Sequence, residues 1–359
     1  MKRDIRVGIL GCGVAAEHHI DALRYVPHID LIWFCDIIEA KAINAANQWG
    51  ENAKSGADVN DLLIRHRPDT VHICTPPSTH SELTIKALES GCHVLLEKPM
   101  ATINTDAKRI VHARDMSGKQ VCLMHNHMFD PPILKARQLI EKGAIGHLVY
   151  GEARYFLSQT KKKMEDTINP DHWAYKLPSG IAGEYLPHPI YLLQSFFGPC
   201  YELQFQGKSM GKTANNSQML RGYALQLQFH TALGRILMID NMDYDHFSID
   251  IYGTRAAIHI NMMDLTYSIE RQRSGVPLVL SRVNITVEQS IQRLVGTLSN
   301  FFLIATGRLK RRPGHKLLIK KVYHAIRNNM PMPIPIEDGL EQVHTMDMLN
   351  DLIAQQNTL

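Results

Sequence analysis

Two short stretches hold residues whose types and spacing suit chemistry: Gly11-Cys12-Gly13-Val14-Ala15-Ala16 and His93-Val94-Leu95-Leu96-Glu97-Lys98-Pro99. The first follows an apolar run over residues 5–10 and precedes a helix-compatible run over 15–25. In a strand–glycine turn–helix order, the glycines let the backbone approach a pyrophosphate, and the helix N-terminus faces its charge. Gly11, Gly13, Val14 and Ala15 are the expected phosphate-binding positions. The second stretch is an apolar strand that ends directly in a carboxylate and a cation, Glu97 and Lys98. Open α/β sheets hold their ligands at the carboxyl ends of their strands.

Asp36 ends the next apolar run, 23 residues beyond Gly13. A carboxylate there accepts hydrogen bonds from adenosine ribose hydroxyls and repels a 2′-phosphate. Ile37 and Ile38 offer no cation to hold such a phosphate, so the pattern favours NAD over NADP. Capping of the following helix is the plainer alternative for Asp36. Thr75-Pro76-Pro77-Ser78-Thr79-His80 follows a third strand-like run. Its prolines stiffen the loop and its hydroxyls can cap a helix. It reads as a loop flanking a dinucleotide, through Thr75, Pro76 and His80, or as a rigid turn.

A third group occupies Pro178-Ser179-Gly180-Ile181-Ala182-Gly183-Glu184-Tyr185-Leu186-Pro187-His188. Pro187 and Pro189 suit the first turn of a helix that stops at Gly198. A histidine in that turn faces the positive end of the helix dipole, which favours neutral imidazole. Neutral imidazole can take the proton of an alcohol as hydride leaves. Glu184 could orient the ring or bind a hydroxyl, and Lys98 could stabilise charge on the reacting oxygen.

The elements that must position these groups follow two grammars. Up to about residue 125, strand-like runs at 5–10, 31–35, 70–74, 94–96 and 121–124 alternate with helix-like segments near 15–25, 39–49, 59–65, 81–90 and 106–117. That alternation predicts right-handed crossovers and a parallel sheet. After a helix at 133–142, period-two strands dominate at 149–156, 223–229, 235–239, 248–252 and 257–260. The fold class is therefore α/β in residues 1–125, joined to an α+β domain over 126–359 with a largely antiparallel open sheet. Helices at 317–328 and 340–355 close the chain.

The 359 residues suffice for two domains, and 45% hydrophobic with 21% charged is a soluble globular composition. A net charge of +4 is too small to argue for nucleic acid. Nineteen histidines are scattered without metal-ligand spacing. Cys12, Cys35, Cys74, Cys92, Cys122 and Cys200 lie mostly inside apolar runs, as buried hydrophobes in a reducing compartment would. The first apolar run begins at Ile5, directly after Met1-Lys2-Arg3-Asp4, so no signal peptide is expected. The longest apolar stretch, 294–305, is broken by Thr297, Ser299 and Asn300 and is too short to span a bilayer. A cytoplasmic enzyme with no membrane insertion is expected.

Gly11-Cys12-Gly13 with Ala16, Thr75-Pro76-Pro77 with His80, and Ala87-Leu88-Glu89-Ser90-Gly91 leading to Glu97-Lys98-Pro99 together resemble the Gfo/Idh/MocA oxidoreductases. The resemblance extends through Asn126-His127-Met128-Phe129-Asp130-Pro131 and Gly143-Ala144-Ile145-Gly146 to the tail at 316–339. It implies an N-terminal Rossmann domain that binds NAD or NADP, and a C-terminal domain whose open sheet often mediates oligomerisation. It also implies oxidation of a polyol or sugar, or reduction of its ketone. Lys98 matches the family's active-site lysine, Asn126 the position close to the nicotinamide, and His188 the catalytic histidine. Glu184 replaces an Asp of the family pattern, Tyr191 stands where an Asp commonly follows, and no Arg adjoins Trp173.

The run from 308 to 321 holds seven cations and no acid, which suits a solvated face or a receptor for an anionic partner, such as a nucleotide diphosphate or a membrane surface. Lys161-Lys162-Lys163 allows the same two readings, and Trp173 and Tyr175 could stack on a sugar or base. The expectation is an NAD(H) oxidoreductase acting on a sugar, cyclitol or nucleotide-linked sugar, and forming a dimer or tetramer. The alternatives are a redox-neutral epimerase or lyase on a sugar, and a non-catalytic dinucleotide sensor.

Overall fold

Short runs of β-branched and other apolar residues, each closed by a polar or glycine turn, set up the first sheet. In a computed structural model, residues 3–50, 53–158, 173–180, 182–212, 218–272, 275 and 277–356 are described. The first half runs β1 (Ile5–Leu10), α1 (Val14–Leu23), β2 (Ile29–Cys35), α2 (Glu39–Trp49), β3 (Lys54–Gly56), β4 (Thr70–Ile73), α3 (His80–Glu89), β5 (His93–Leu96), α4 (Asn104–Ser117) and β6 (Val121–Leu123). All strand pairs are parallel, in the order β3-β2-β1-β4-β5-β6. The order reverses direction between β1 and β4, the switch point at which doubly wound sheets bind ligands. Val7, Ile9, Val71, Ile73, Val94 and Leu95 are fully buried, as strands covered on both faces require.

The second half runs α5 (Pro131–Glu141), β7 (Leu148–Ser158), α6 (Pro187–Phe197), β8 (Cys200–Lys212), β9 (Gln218–Phe229), β10 (Leu233–Met242), β11 (His246–Gly253), β12 (Ala257–Asn261), β13 (Thr266–Glu270) and α7 (Leu278–Ala305). The chain ends with α8 (Pro313–Asn328) and α9 (Ile336–Gln356). The second sheet has seven strands in the order β13-β12-β11-β7-β10-β9-β8. All its pairs are antiparallel except β7 with β10. Along β9, Tyr223, Leu225, Leu227 and Phe229 are buried while Gln226 between them is exposed, so one face is packed and one is open. The packed face carries α6: Phe197 stacks on Phe229 at 5.3 Å between centroids.

The sequence pattern missed β3, β8, β13 and α7 and placed several boundaries short. The helix expected at 59–65 is a short π-helical turn, Asp61–His66. The chain divides into two compact units, Met1–Phe129 with Gly314–His344, and Asp130–Pro313 with Thr345–Leu359. A cut at 125/126 would give the whole tail to the second domain, whereas Gly314–His344 packs with the first unit. The reason is specific: Tyr323 of α8 bonds to His72 of β4, Lys316 pairs with Asp21 at 2.8 Å, and Arg327 donates to the Pro27 and His28 carbonyls. Lys161-Lys162-Lys163 and the Tyr175 side chain lie outside the described residues.

Candidate active site

The turn after β1 is built around Gly11, whose φ is +83°. A Cβ there would stand 2.8 Å from the Cys74 and Thr75 backbone, so only glycine lets the two loops at the switch point meet. Gly13 directly precedes α1, and a Cβ on it would meet nothing within 4 Å. That open space lies at a helix N-terminus, the arrangement that receives a pyrophosphate. Val14 and Ala15 open the helix, with Val14 exposed.

Asp36 ends β2 and reaches into this turn. Its Oδ2 accepts the Cys12 N–H at 2.8 Å and its Oδ1 accepts the Ile38 N–H at 2.8 Å. The capping alternative and the ribose role are therefore compatible: an ionised carboxylate has about four acceptor sites, and two remain. Beside it, burial and the Asp36 charge push the Cys12 thiol up to about 12, so it stays protonated.

Thr75 follows β4, where Thr79 Oγ1 lies 2.7 Å from Thr75 Oγ1 and 2.9 Å from the Pro76 carbonyl oxygen. His80 is buried with Nε2 2.8 Å from the Thr75 carbonyl and Nδ1 2.8 Å from the Pro99 carbonyl. The ring thereby ties the Thr75 loop to the Lys98-Pro99 loop. Burial lowers its pKa, opposed by those two carbonyls.

Glu97 follows β5 and its N–H donates to the Ile73 carbonyl at 3.0 Å. The carboxylate is buried, 9% exposed, yet held ionised. Burial raises its pKa, but the hydrogen bond and charge of His19 together with the charges of His315 and Lys98 outweigh it and bring the pKa down to about 2. His19 Nε2 lies 2.9 Å from Glu97 Oε1, and His19 Nδ1 lies 2.8 Å from His72 Nδ1. His72 Nε2 lies 2.7 Å from the Tyr323 hydroxyl. Glu97 accepts from His19 Nε2–H, and a neutral His72 carries a single N–H, so His72 donates at one of its two contacts and accepts at the other. Burial keeps His72 neutral by pushing its pKa well down, and keeps the Tyr323 phenol protonated by pushing its pKa well up.

Lys98, half-buried, follows Glu97 directly, and its own N–H donates to Glu97 Oε2 at 3.2 Å. Asn126 is buried at the start of the 3-10 turn Asn126–Phe129. Next to it, burial drives the His125 pKa down to about 3. The histidines of this unit that matter most, His19, His72, His125 and His315, were not singled out in the sequence. The one legible signal was the α1 stripe Ala16, His19, Ile20, Leu23, which puts His19 on the buried face.

In the second unit, His188 sits in the first turn of α6 behind Pro187, where sequence placed it. Its Nδ1 lies 3.0 Å from the hydroxyl of buried Tyr191, and the two rings meet edge to face at 5.6 Å. A family aspartate at 191 would demand an Nδ1–H. A phenol can donate or accept, so the ring can present Nε2 as base or as acid. Glu184 lies in the helical turn Ala182–Tyr185, and its charge, after burial, raises the pKa values of Tyr155 and Tyr185. Trp173 opens the 3-10 turn Trp173–Lys176.

Gly11, Gly13, Asp36, Thr75, His80, Glu97 and Lys98 thus share the carboxyl edge of the first sheet, while Glu184 and His188 stand four positions apart in the second unit. A shallow concavity lined by Arg3, Asp69, His93, Lys119 and Arg327 lies at the amino ends of the strands, away from this edge.

A family model for the oxidoreductase family with NAD-binding Rossmann fold matches residues 5–125, and one for the GFO/IDH/MocA C-terminal domain matches residues 133–259. D-glucoside 3-dehydrogenase of Escherichia coli is 31% identical over 152 residues, 42% of this chain and 43% of that protein. Inositol 2-dehydrogenase of Salmonella paratyphi B is 25% identical over 158 residues, 44% of this chain and 47% of that protein. The chain spans about half the length of these curated relatives. The WlbA dehydrogenase of Bordetella pertussis, solved with NADH and UDP-GlcNAcA, has the same fold, with a TM-score of 0.78 at 19% identity over 99% of this chain and 97% of that one. The chain belongs to the Gfo/Idh/MocA oxidoreductase family.

Proposed function

We propose that this protein is an NAD(H)-dependent dehydrogenase that transfers hydride between the cofactor and a secondary alcohol, or its ketone, on a sugar, cyclitol or nucleotide-linked sugar. The observation that carries this reading is the edge where Gly13 leaves space at a helix N-terminus, Asp36 keeps spare acceptors, and ionised Glu97 adjoins Lys98. These residues fit a dinucleotide: α1 receives the pyrophosphate and Asp36 the ribose hydroxyls. That choice favours NAD over NADP. Thr75, Pro76, His80, Glu97, Lys98 and Asn126 complete the cofactor contacts.

When bound, the nicotinamide supplies the hydride acceptor in oxidation and the hydride donor in reduction. His188 Nε2 takes the hydroxyl proton in oxidation and returns it in reduction, while Tyr191 sets the tautomer. Lys98 donates a hydrogen bond to the reacting oxygen and stabilises its developing negative charge. Glu184 binds a substrate hydroxyl or orients the substrate beside His188. Support for the substrate class comes from the names of relatives, which act on a glucoside and on inositol, and from the UDP-GlcNAcA held by WlbA. The same reading makes the protein a cytoplasmic homo-oligomer, a dimer or tetramer.

Purified protein incubated with NAD⁺ and a panel of sugars, cyclitols and nucleotide sugars tests the reading through NADH fluorescence. NADH accumulating in step with product is expected. Product formed without NADH accumulation would assign a redox-neutral epimerase or lyase, and NADH binding with no turnover on any class would assign a sensor.

A further inference from the structure

The 28-residue helix α7 is turned the opposite way from an ordinary surface helix. Its face toward β13, the edge strand of the second sheet, is largely polar, with Ile285 and Leu303 the half-buried apolar residues on that side. Gln292 Oε1 accepts the Ile269 N–H at 2.7 Å, and Asn300 Nδ2 donates to the Asp264 and Leu265 carbonyls at 2.8 and 3.0 Å. Its outward face is apolar: Leu280, Val287, Ile291, Leu294, Leu298 and Phe301 are 49% to 71% exposed. Their spacing of three, four or seven residues lines them along one side of a helix roughly 42 Å long. Exposed apolar surface of this extent marks an interaction site.

We propose that α7 lies flat on an anionic phospholipid surface, with this face in the boundary between headgroups and acyl chains. Charge at its end supports that occupant. Arg308, Lys310, Arg311 and Arg312, all exposed, follow the C-terminus of α7 directly. The sequence has no Asp or Glu between Glu288 and Glu337. Phe301 and Phe302 stand next to this basic loop, the pairing of aromatic and cationic groups that suits the headgroup level. The width of the face argues against a second copy of α7 as occupant. A helix pair buries a narrow seam with charged flanks, but Val295 and Phe302, beside the seam, are 56% and 59% exposed. No described helix is long and apolar enough to cross a membrane, so the contact is in-plane.

Vesicle flotation of the full chain tests the proposal, with phosphatidylcholine vesicles compared to vesicles in which about a third of the lipid is phosphatidylglycerol. Binding at least about tenfold stronger to the anionic vesicles, and weakened by salt, is expected. The Leu294→Glu/Leu298→Glu variant should abolish binding, and Arg308→Glu/Arg311→Glu should weaken it at least about tenfold, both with unchanged melting temperature. Failure to bind anionic vesicles at low salt would overturn the proposal, as would binding that both variants retain. Self-association that Leu294→Glu/Leu298→Glu disperses, without vesicle binding, would give the face to a second copy and also overturn it.

Discussion

His19 Nε2 meets Glu97 Oε1 at 2.9 Å inside the first unit, and this contact decides how a buried carboxylate can stay ionised beside Lys98. The bond holds Glu97 in one orientation, and the chain His19–His72–Tyr323 stands behind it. A helix of the chain terminus, α8, thereby supports the loop that carries the proposed catalytic lysine.

Removing the first donor should be expensive. His19→Leu leaves the Glu97 charge buried without its partner, which costs about 3–5 kcal/mol. Tyr323→Phe keeps the packing and removes only the hydroxyl at the end of the chain, so it should cost about 1–3 kcal/mol. Urea denaturation measures both, and a His19→Leu loss below about 1 kcal/mol would mean that the contact carries no weight.

The buried histidines set an acid-side limit to stability. Burial lowers the folded pKa of His125 from 6.5 to about 3, and pushes those of His72 and His315 well down too. Between the folded and unfolded values the unfolded chain binds more protons, so stability is complete above pH 6.5 and is lost as pH falls from there toward 3. Glu97 acts in a lower window, from 4.5 down to about 2, with the same sign. Melting temperature should therefore fall steadily below pH 6.5, and His125→Gln should flatten that fall. An unchanged slope in the variant would show that His125 is not held neutral.

Cofactor choice tests Asp36. Its carboxylate, held by the Cys12 and Ile38 N–H groups, puts negative charge where a 2′-phosphate would stand. NADH should bind at least about tenfold more tightly than NADPH, roughly 1.4 kcal/mol. Asp36→Ser should shrink that ratio. Fluorescence titration reads both affinities, and equal or reversed affinities in the wild type would mean Asp36 has another role.

The glycine turn, Asp36 and the Glu97-Lys98 end of a strand were legible because each is local: a residue type at a fixed offset from an apolar run. The turn of α6 was legible for the same reason, through Pro187, Pro189 and Gly198. The support behind Glu97 was not, because its partners lie 78, 53 and 251 residues apart along the chain, and no spacing rule joins them. Tyr191 appeared only as a missing Asp, whereas the structure places its hydroxyl on His188. Helix α7 was seen only as an interrupted apolar stretch at 294–305, since its stripe points outward and its polar side packs on a sheet edge. The basic run at 308–321 divides: Lys316 pairs with Asp21 and lies over Tyr25, while Arg308 and Arg311 are exposed.

Tyr191→Phe isolates the orientation of His188. The phenyl ring preserves packing but loses the 3.0 Å contact to Nδ1. Turnover should fall about 10- to 100-fold with KM nearly unchanged, as for other partners that fix an imidazole. The limb of the pH–rate profile that reports the imidazole should also move. Wild-type turnover and an identical profile would remove Tyr191 from the mechanism.

His188 and Lys98 are the residues proposed to carry the chemistry. Single-turnover NADH formation with the substrate found by the screen tests that assignment most directly, in the wild type, His188→Ala, Lys98→Ala and the double variant, with NADH affinity titrated in parallel. His188→Ala should slow NADH formation by about 10²–10⁴-fold while NADH affinity is kept. The double variant should be little slower than the worse single one, as for groups acting as a unit. Near-wild-type NADH formation in His188→Ala, or losses that multiply fully in the double variant, would contradict the assignment.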